Sequence, residues 1–280
     1  MPELPEVETV RRTLAPHLTG RRILQTHIGE YRRTVATPDP ERFCARMDGR
    51  SIVELGRRGK FLLFRLDSGD TVTIHLRMTG ELSVVEPAAA TTPHMHLWFD
   101  LDDGRQLRYY DVRKFGRWSL LTPAQFELFD QSIGPEPFDP ELTAETFASM
   151  LRGRRRILKP LLLDQSFIAG IGNIYADEAL FRAGIHPRRH SHELTADEAE
   201  RLLCEIRWVL SSALEHRGTT LRDYRDGNGE PGENLSRLQI YSLDHDDPCP
   251  RCGARIVRDE VGQRGTRFCP SCQPVNPQAK

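Results

Sequence analysis

Lys60-Phe-Leu-Leu-Phe-Arg-Leu66, followed after a Ser68-Gly69 turn by Thr71-Val-Thr-Ile-His-Leu76, decides the fold of the first half of this chain. Both are short apolar runs of strand length, joined by turn residues. The same pattern recurs in Ser51-Ile-Val-Glu-Leu55, His94-Met-His-Leu-Trp-Phe99 and Gln106-Leu-Arg-Tyr-Tyr110, with Asp103-Gly104 as a second turn pair. Many short strands with hairpin turns between about Ile23 and Leu121 predict a β-sandwich or barrel. Before them, Val7, Val10, Leu14 and Leu18 fall at helical spacing, so the N-terminus opens an amphipathic helix. Pro16 is expected to kink that helix or end it early.

After the strands, Gly134-Pro-Glu-Pro-Phe-Asp-Pro140 reads as a linker, and the pattern turns helical. Thr143 is a candidate N-cap and Gly153 a stop; a short helix follows at Pro160-Leu-Leu-Leu-Asp-Gln165, and another runs from near Asn173 to Gly184. Thr195-Ala-Asp-Glu198 is a capping box that leads into a helix with Leu202, Leu203, Ile206, Val209, Leu210 and Leu214 on its apolar face. Gly218 is read as its end, and the polar stretch from Thr219 to about Leu235 is long enough to be either functional or disordered.

The chain of 280 residues carries a formal net charge of −1, so the basic footprint common among nucleic-acid binders is missing overall. The charge is uneven. From Leu151 to Pro160 there are five bases and no acid; from Arg222 to Asp247 acids outnumber bases seven to three; from Pro248 onward bases lead six to two. Local basic patches can still bind phosphates, although a solvated face is the ordinary meaning of a charge run. No apolar stretch is long enough to cross a membrane and no signal-peptide region is present, which predicts a soluble intracellular protein.

Cys249-Pro-Arg-Cys252 and Cys269-Pro-Ser-Cys272 enclose sixteen residues. Two such hooks offer four thiolates to one tetrahedral zinc, with a β-hairpin between them. Four cysteines close the coordination shell, so the metal is read as structural. Arg264 and Arg267 lie on that hairpin with Gly265 as the turn between them, and an arginine near a hairpin tip suits phosphate contact. The other two cysteines, Cys44 and Cys204, are expected to be buried thiols. His94 and His96 would face one side of a strand, but no third metal ligand is evident.

The opening, Met1-Pro-Glu-Leu-Pro-Glu-Val-Glu8, carries a second chemistry. Removal of Met1 would leave Pro2 as a free secondary amine. Such an amine attacks an aldehyde-like carbon and forms a cationic iminium. With an α-amino pKa near ~8, a neutral fraction exists at neutral pH. Glu3 stands beside it as acid, base or electrostatic partner. The same residues also make an ordinary helix start, since proline and acids suit the first turn. Ala169-Gly-Ile-Gly-Asn173 could bring backbone amides to an anion or form a plain turn. Met78 and Phe115, on loops after strands, are read from spacing alone as core residues; as exposed residues they would suit wedges that fill the gap left by a flipped base.

Taken in order, Met-Pro-Glu-Leu-Pro-Glu-Val-Glu, Gly56-Arg-Arg-Gly-Lys60, His75-Leu-Arg-Met-Thr-Gly80, Arg113-Lys-Phe-Gly116, Gly170-Ile-Gly-Asn-Ile-Tyr-Ala-Asp-Glu178 and the terminal Cys₄ unit resemble the bacterial formamidopyrimidine-DNA glycosylases over essentially the whole chain. The resemblance implies an α+β protein. A β-sandwich domain with an N-terminal helix (1–133) and a linker (134–140) would precede a helix–two-turn–helix domain with a lesion-capping loop (141–238). A Cys₄ zinc-ribbon β-hairpin (239–273) and a tail (274–280) would follow, with DNA in the cleft between domains. It implies Pro2 as nucleophile, Glu3 as acid toward the sugar ring oxygen, Lys60 in β-elimination and Arg264 in δ-elimination. His94, Arg113, Arg154 or Arg155, Lys159 and Asn173 would contact DNA, and Met78, Arg113 and Phe115 would fill the void. One structural Zn2+ would sit on Cys249, Cys252, Cys269 and Cys272. The implied partner is double-stranded DNA bearing an oxidised purine or abasic site, bound by a monomer in the bacterial cytoplasm at the nucleoid. Two other readings compete: an endonuclease VIII-like enzyme for oxidised pyrimidines, and a non-catalytic zinc-ribbon nucleic-acid binder. Two segments depart from the family pattern. Tyr241-Ser-Leu-Asp-His-Asp-Asp247 replaces a glycine- and arginine-containing run, and the loop around Asp226–Glu233 is unusually acidic.

Overall fold

The computed structural model describes residues 1–275. By contacts the chain divides into two units: Met1–Ser132 with Leu214–Glu233, and Ile133–Ala213 with the chain from Asn234 onward.

The first unit opens with α1 (Leu4–Leu18), whose buried residues include Val7, Val10, Leu14 and Leu18. Pro16 does not end this helix. It sits in the last turn, where one backbone bond is forfeited, and the Thr19 N–H still reaches Ala15 O at 3.0 Å. The strands are β1 (Ile23–Ile28), β2 (Val35–Thr37), β3 (Ile52–Arg58), β4 (Phe61–Leu66), β5 (Thr71–His75), β6 (Gly80–Val85), β7 (Met95–Leu101), β8 (Gln106–Asp111) and β9 (Arg117–Leu121). They form a four-stranded sheet in the order β1-β7-β8-β6 and a five-stranded sheet in the order β2-β9-β5-β4-β3. The sandwich is locked by Trp118 on β9. Its ring meets Phe64 of its own sheet at 6.0 Å, and Phe99 and Tyr109 of the other sheet at 5.7 and 5.4 Å.

Two helices in this half carry start signals that the strand pattern hides. α2 (Pro40–Met47) begins with Asp39 accepting the Arg42 N–H at 3.0 Å and proline in its first turn. α3 (Pro123–Gln131) begins with a Thr122–Gln125 capping box.

The second unit holds α4 (Ala144–Arg152), α5 (Leu158–Leu163), α6 (Asn173–Ala183), α7 (Ala196–Glu215) and a hairpin of β10 (Val257–Glu260) with β11 (Gly265–Phe268). Thr143 caps α4 through the Thr146 N–H, Gly184 closes α6 in the left-handed region, and Thr195 and Glu198 cap α7 reciprocally. Residues 134–140 are packed, not loose. Gly134 N–H donates to Gln165 O at 2.8 Å, and Arg207 Nε donates to Pro137 O at 2.7 Å. A small core of Phe181, Ile240, Cys249, Ile256 and Cys269 joins α6 to the cysteine-bearing hairpin.

The polar stretch expected at 219–235 is an ordered loop whose contacts group it with the first unit. Thr219 and Glu233 pair as an antiparallel bridge at its neck. Asp226, one of the acids that make the loop unusual, points inward. One carboxylate oxygen accepts the N–H groups of Asn228 and Glu230 at 2.9 and 3.0 Å, and the other pairs with Arg217 at 2.6 Å.

Candidate active site

In the first unit, Pro2 and Glu3 are both buried at the entry to α1, while Met1 is exposed. Glu6 fixes this corner. One of its oxygens accepts the Glu3 N–H at 2.8 Å, and the other accepts the Thr219 N–H at 2.7 Å. A single carboxylate therefore sets the backbone beside Pro2 and the neck of the 219–233 loop. The Tyr224 hydroxyl adds a bond to Glu6 O at 3.3 Å.

Lys60 lies at the tip of the β3–β4 hairpin and is only 5% exposed. Gly59 takes a φ of +55°, and Arg57 Nη1 donates to Gly59 O at 2.9 Å. Arg58 Nε donates to Asp130 Oδ1 at 2.6 Å, so both arginines brace the tip. Next to Lys60, His75 is held neutral. Burial, with Arg77 and Lys60 adding repulsion, pushes its pKa down to about 3. Its Nδ1 accepts the Arg77 N–H at 3.0 Å.

Met78 and Phe115 are exposed at 39% and 49%, which corrects the core role read from their spacing. Asp111 holds their two loops together. Its carboxylate accepts the Thr79 hydroxyl at 2.6 Å, the Gly116 N–H at 2.7 Å and the Arg113 N–H at 3.2 Å. Arg113 stacks over the Phe115 ring at 4.9 Å. His94 is half-buried just before β7. His96 faces Asp111 O at 2.9 Å, so the two histidines do not form a metal pair.

In the second unit, Arg154 and Arg155 are exposed on the turn after α4. Asn173 starts α6, and its Nδ2 donates to Gly265 O at 3.0 Å. Arg264 is exposed in the four-residue turn of the β10–β11 hairpin; Gly265, expected in that turn, is instead the first residue of β11. Lys159 does not stand where a DNA contact requires. It is 0% exposed and its Nζ lies 2.7 Å from Asp177 Oδ1. Burial pushes the Asp177 carboxyl up to about 6, against the pull of Lys159 and the Arg267 N–H.

The sulfur atoms of Cys249, Cys252, Cys269 and Cys272 lie within 4.8 Å of one another, the one such metal-ligand group among the described residues. The Cys249–Cys272 and Cys252–Cys269 separations are 3.9 and 3.5 Å. A tetrahedron with zinc–sulfur bonds of about 2.3 Å has edges of roughly 3.8 Å, so the four thiols fit one zinc. Arg251 and Cys272 N–H groups donate to Cys249 and Cys269 sulfur at 3.4 Å each, which orients the ligands. Cys44 is half-buried and Cys204 exposed, so neither is the fully buried thiol expected.

Roles for Glu6, Asp111 and Asp177 escaped the sequence reading. Each sits in or beside a conspicuous motif, but nothing in spacing separates a buried anchoring carboxylate from a solvated one.

Comparison with known proteins agrees along the whole chain. The formamidopyrimidine-DNA glycosylase N-terminal domain matches residues 1–118, the H2TH domain of the same glycosylases matches 133–225, and a zinc finger found in FPG and IleRS matches 246–275. A formamidopyrimidine-DNA glycosylase of Thermomicrobium roseum is 48% identical over 99% of this chain and 100% of that protein. One of Symbiobacterium thermophilum is 50% identical over 98% and 90%. The Lactococcus lactis Fpg bound to DNA with an abasic site superposes with a TM-score of 0.90 at 37% identity, covering 97% of this chain and 99% of that one. A MutM complex with DNA containing carbocyclic 8-oxo-G gives 0.90 at 37% identity over 98% and 100%. The order of motifs, the sandwich, the cysteine cluster and these full-length matches place the chain in the formamidopyrimidine-DNA glycosylase family.

Proposed function

We propose that this protein removes oxidised purines from duplex DNA through an amine on Pro2 and then cleaves the strand at the resulting abasic site. The observation that carries the reading is the corner at the chain start: Pro2 is buried, Glu3 is buried beside it, and Glu6 Oε2 fixes the Glu3 N–H. A nucleophile anchored on the backbone in this way has little freedom to lose on attack.

With Met1 removed, the Pro2 nitrogen bonds to C1′ as the glycosidic bond breaks, and the base leaves with that electron pair and gains a proton. Glu3 protonates the sugar ring oxygen as the C1′–O4′ bond opens, which leaves an iminium at C1′. The iminium acidifies the C2′ proton. Its loss expels the 3′ phosphate, and loss of the C4′ proton then expels the 5′ phosphate. Water hydrolyses the remaining iminium and frees Pro2. The electrons balance through proton transfers alone. Lys60 serves the first elimination and Arg264 the second; Asn173, His94, Arg113 and Arg154 or Arg155 hold the DNA. Met78, Arg113 and Phe115 occupy the gap left by the everted nucleotide. Zinc on the four cysteines supports the ribbon that carries Arg264. The protein acts as a monomer at the bacterial nucleoid.

Borohydride trapping tests this on a duplex with 8-oxoguanine opposite cytosine, beside a duplex with thymine glycol. An adduct mapping to Pro2 on the first, with a one-nucleotide gap in untrapped reactions, is expected. Trapping mainly on the second would move the protein to the pyrimidine-excising class. DNA binding without any adduct would leave a silent binder.

A further inference from the structure

The residues that follow Arg264 are tied to α5 and α6 by a buried charge cluster. Lys159 and Asp177 are both inaccessible to solvent. The Lys159 ammonium donates to Thr266 Oγ1 at 2.7 Å and to Gly265 O at 3.0 Å, and its Nζ lies 2.7 Å from Asp177 Oδ1 as an ion pair. The Thr266 hydroxyl passes the chain on, donating to Arg264 O at 2.9 Å. The second Asp177 oxygen accepts the Arg267 N–H at 3.1 Å. The tip itself is seated on α5. A Cβ on Gly262, which has a φ of +59°, would meet Pro160 Cγ at 2.4 Å. Every residue from Arg264 to Arg267, apart from its own hairpin pairing, is one or two bonds from this one ion pair.

Stability alone does not account for such a pair. Desolvation of two charges offsets most of their attraction, and apolar residues of similar volume commonly do as well or better. What ionic hydrogen bonds add is direction. A two-stranded ribbon has little sheet of its own to hold a side chain in aim. We propose that Lys159 and Asp177 are positioning residues that aim Arg264 at the phosphate lost in the second elimination, and that Lys159 itself touches no DNA. The inference rests on the assignment of Arg264 to that step.

The test uses the full-length, zinc-loaded protein with its free N-terminus and a duplex holding a preformed abasic site. Products of the first elimination alone and of both eliminations are resolved on a gel. Asp177→Asn and Lys159→Met are compared with the paired replacement Lys159→Met/Asp177→Leu and with Arg264→Ala. Misplacing a group by about 1 Å costs up to ~100-fold in rate. Asp177→Asn should therefore keep its zinc and its trapping yield while the second elimination slows by about tenfold or more. The paired apolar variant should fold and bind zinc yet show the same accumulation of the first product. Wild-type product ratios in the zinc-loaded paired variant, with accumulation in Arg264→Ala, would overturn the inference. Loss of zinc from every variant would overturn it too, because the pair would then serve ribbon folding. An unchanged ratio in Arg264→Ala would instead remove the role given to Arg264.

Discussion

Two β-hairpins, one in each unit, present a single cation at their tips, and they are held in different ways. The β3–β4 tip carries Lys60 inside a five-stranded sheet, over a core that includes Leu55, Leu62 and Phe64. Local clamps suffice there: Arg57 on Gly59 O and Arg58 on Asp130. The β10–β11 tip carries Arg264 on strands of four residues with no third strand. Its support is four thiols on one side and a buried ion pair on the other. The contrast teaches that a cation at the rim of a large sheet inherits order from the core, whereas one on an isolated ribbon must draw order from a metal and from charge.

Stripping the zinc should break this comparison most sharply. Structural zinc sites contribute on the order of 10–16 kcal/mol of apparent binding energy. Chelation, or Cys269→Ser, is expected to abolish amide protection around Val257–Phe268 and weaken duplex binding by roughly 100-fold, about 2.7 kcal/mol. Hydrogen exchange should show β3, β4 and β5 unaffected; parallel loss in those strands would mean that the first hairpin also depends on the metal. Next comes Gly262→Ala. A left-handed φ and a 2.4 Å clash with Pro160 act together there, so a loss of roughly 3 kcal/mol in urea unfolding is expected.

In the first unit, acid should act through His75 at the end of β5, the strand that pairs with β4. The unfolded chain protonates His75 below its ordinary value of 6.5, while the folded protein keeps it neutral until about 3. Stability from this group is complete above pH 6.5 and falls as the pH drops towards 3. From pH 7 to 5 the loss is about 2 kcal/mol. His75→Phe should flatten that part of the stability profile; an unchanged slope would show that another group carries it. The smallest effect is expected from Gly59→Ala, about 1 kcal/mol, because φ of +55° is strained for alanine yet tolerated at a hairpin tip. A cost equal to that of Gly262→Ala would erase the distinction between the two tips.

The features written in local chemistry were legible in the sequence. Short apolar strands between turn pairs, the Thr143 and Thr195 caps, the Gly184 stop and the two cysteine hooks all announce themselves through local sequence. The readings that failed depend on long-range packing. Met78 and Phe115 are apolar by type, so only the Asp111-centred fold of their loops reveals that they point outward. Lys159 sits in a run of five bases, and the run looks uniform until one member is found paired with Asp177 across the unit. The strand pattern around α2 and α3 masks them, although Asp39-Pro40 and Thr122-Pro-Ala-Gln125 are good helix starts. Pro16 failed the other way, since a helix breaker in a last turn has little left to break.

The return of Leu214–Glu233 to the first unit has a consequence for synthesis on the ribosome. Tyr224 packs against the sandwich core, and Gly227 N–H donates to Thr13 Oγ1 on α1. Those partners leave the exit tunnel only after all of Ile133–Ala213 has been made. A nascent chain therefore holds an unfinished sandwich while its helical half is already folding, and a fragment cut at Ser132 would keep that unfinished state permanently.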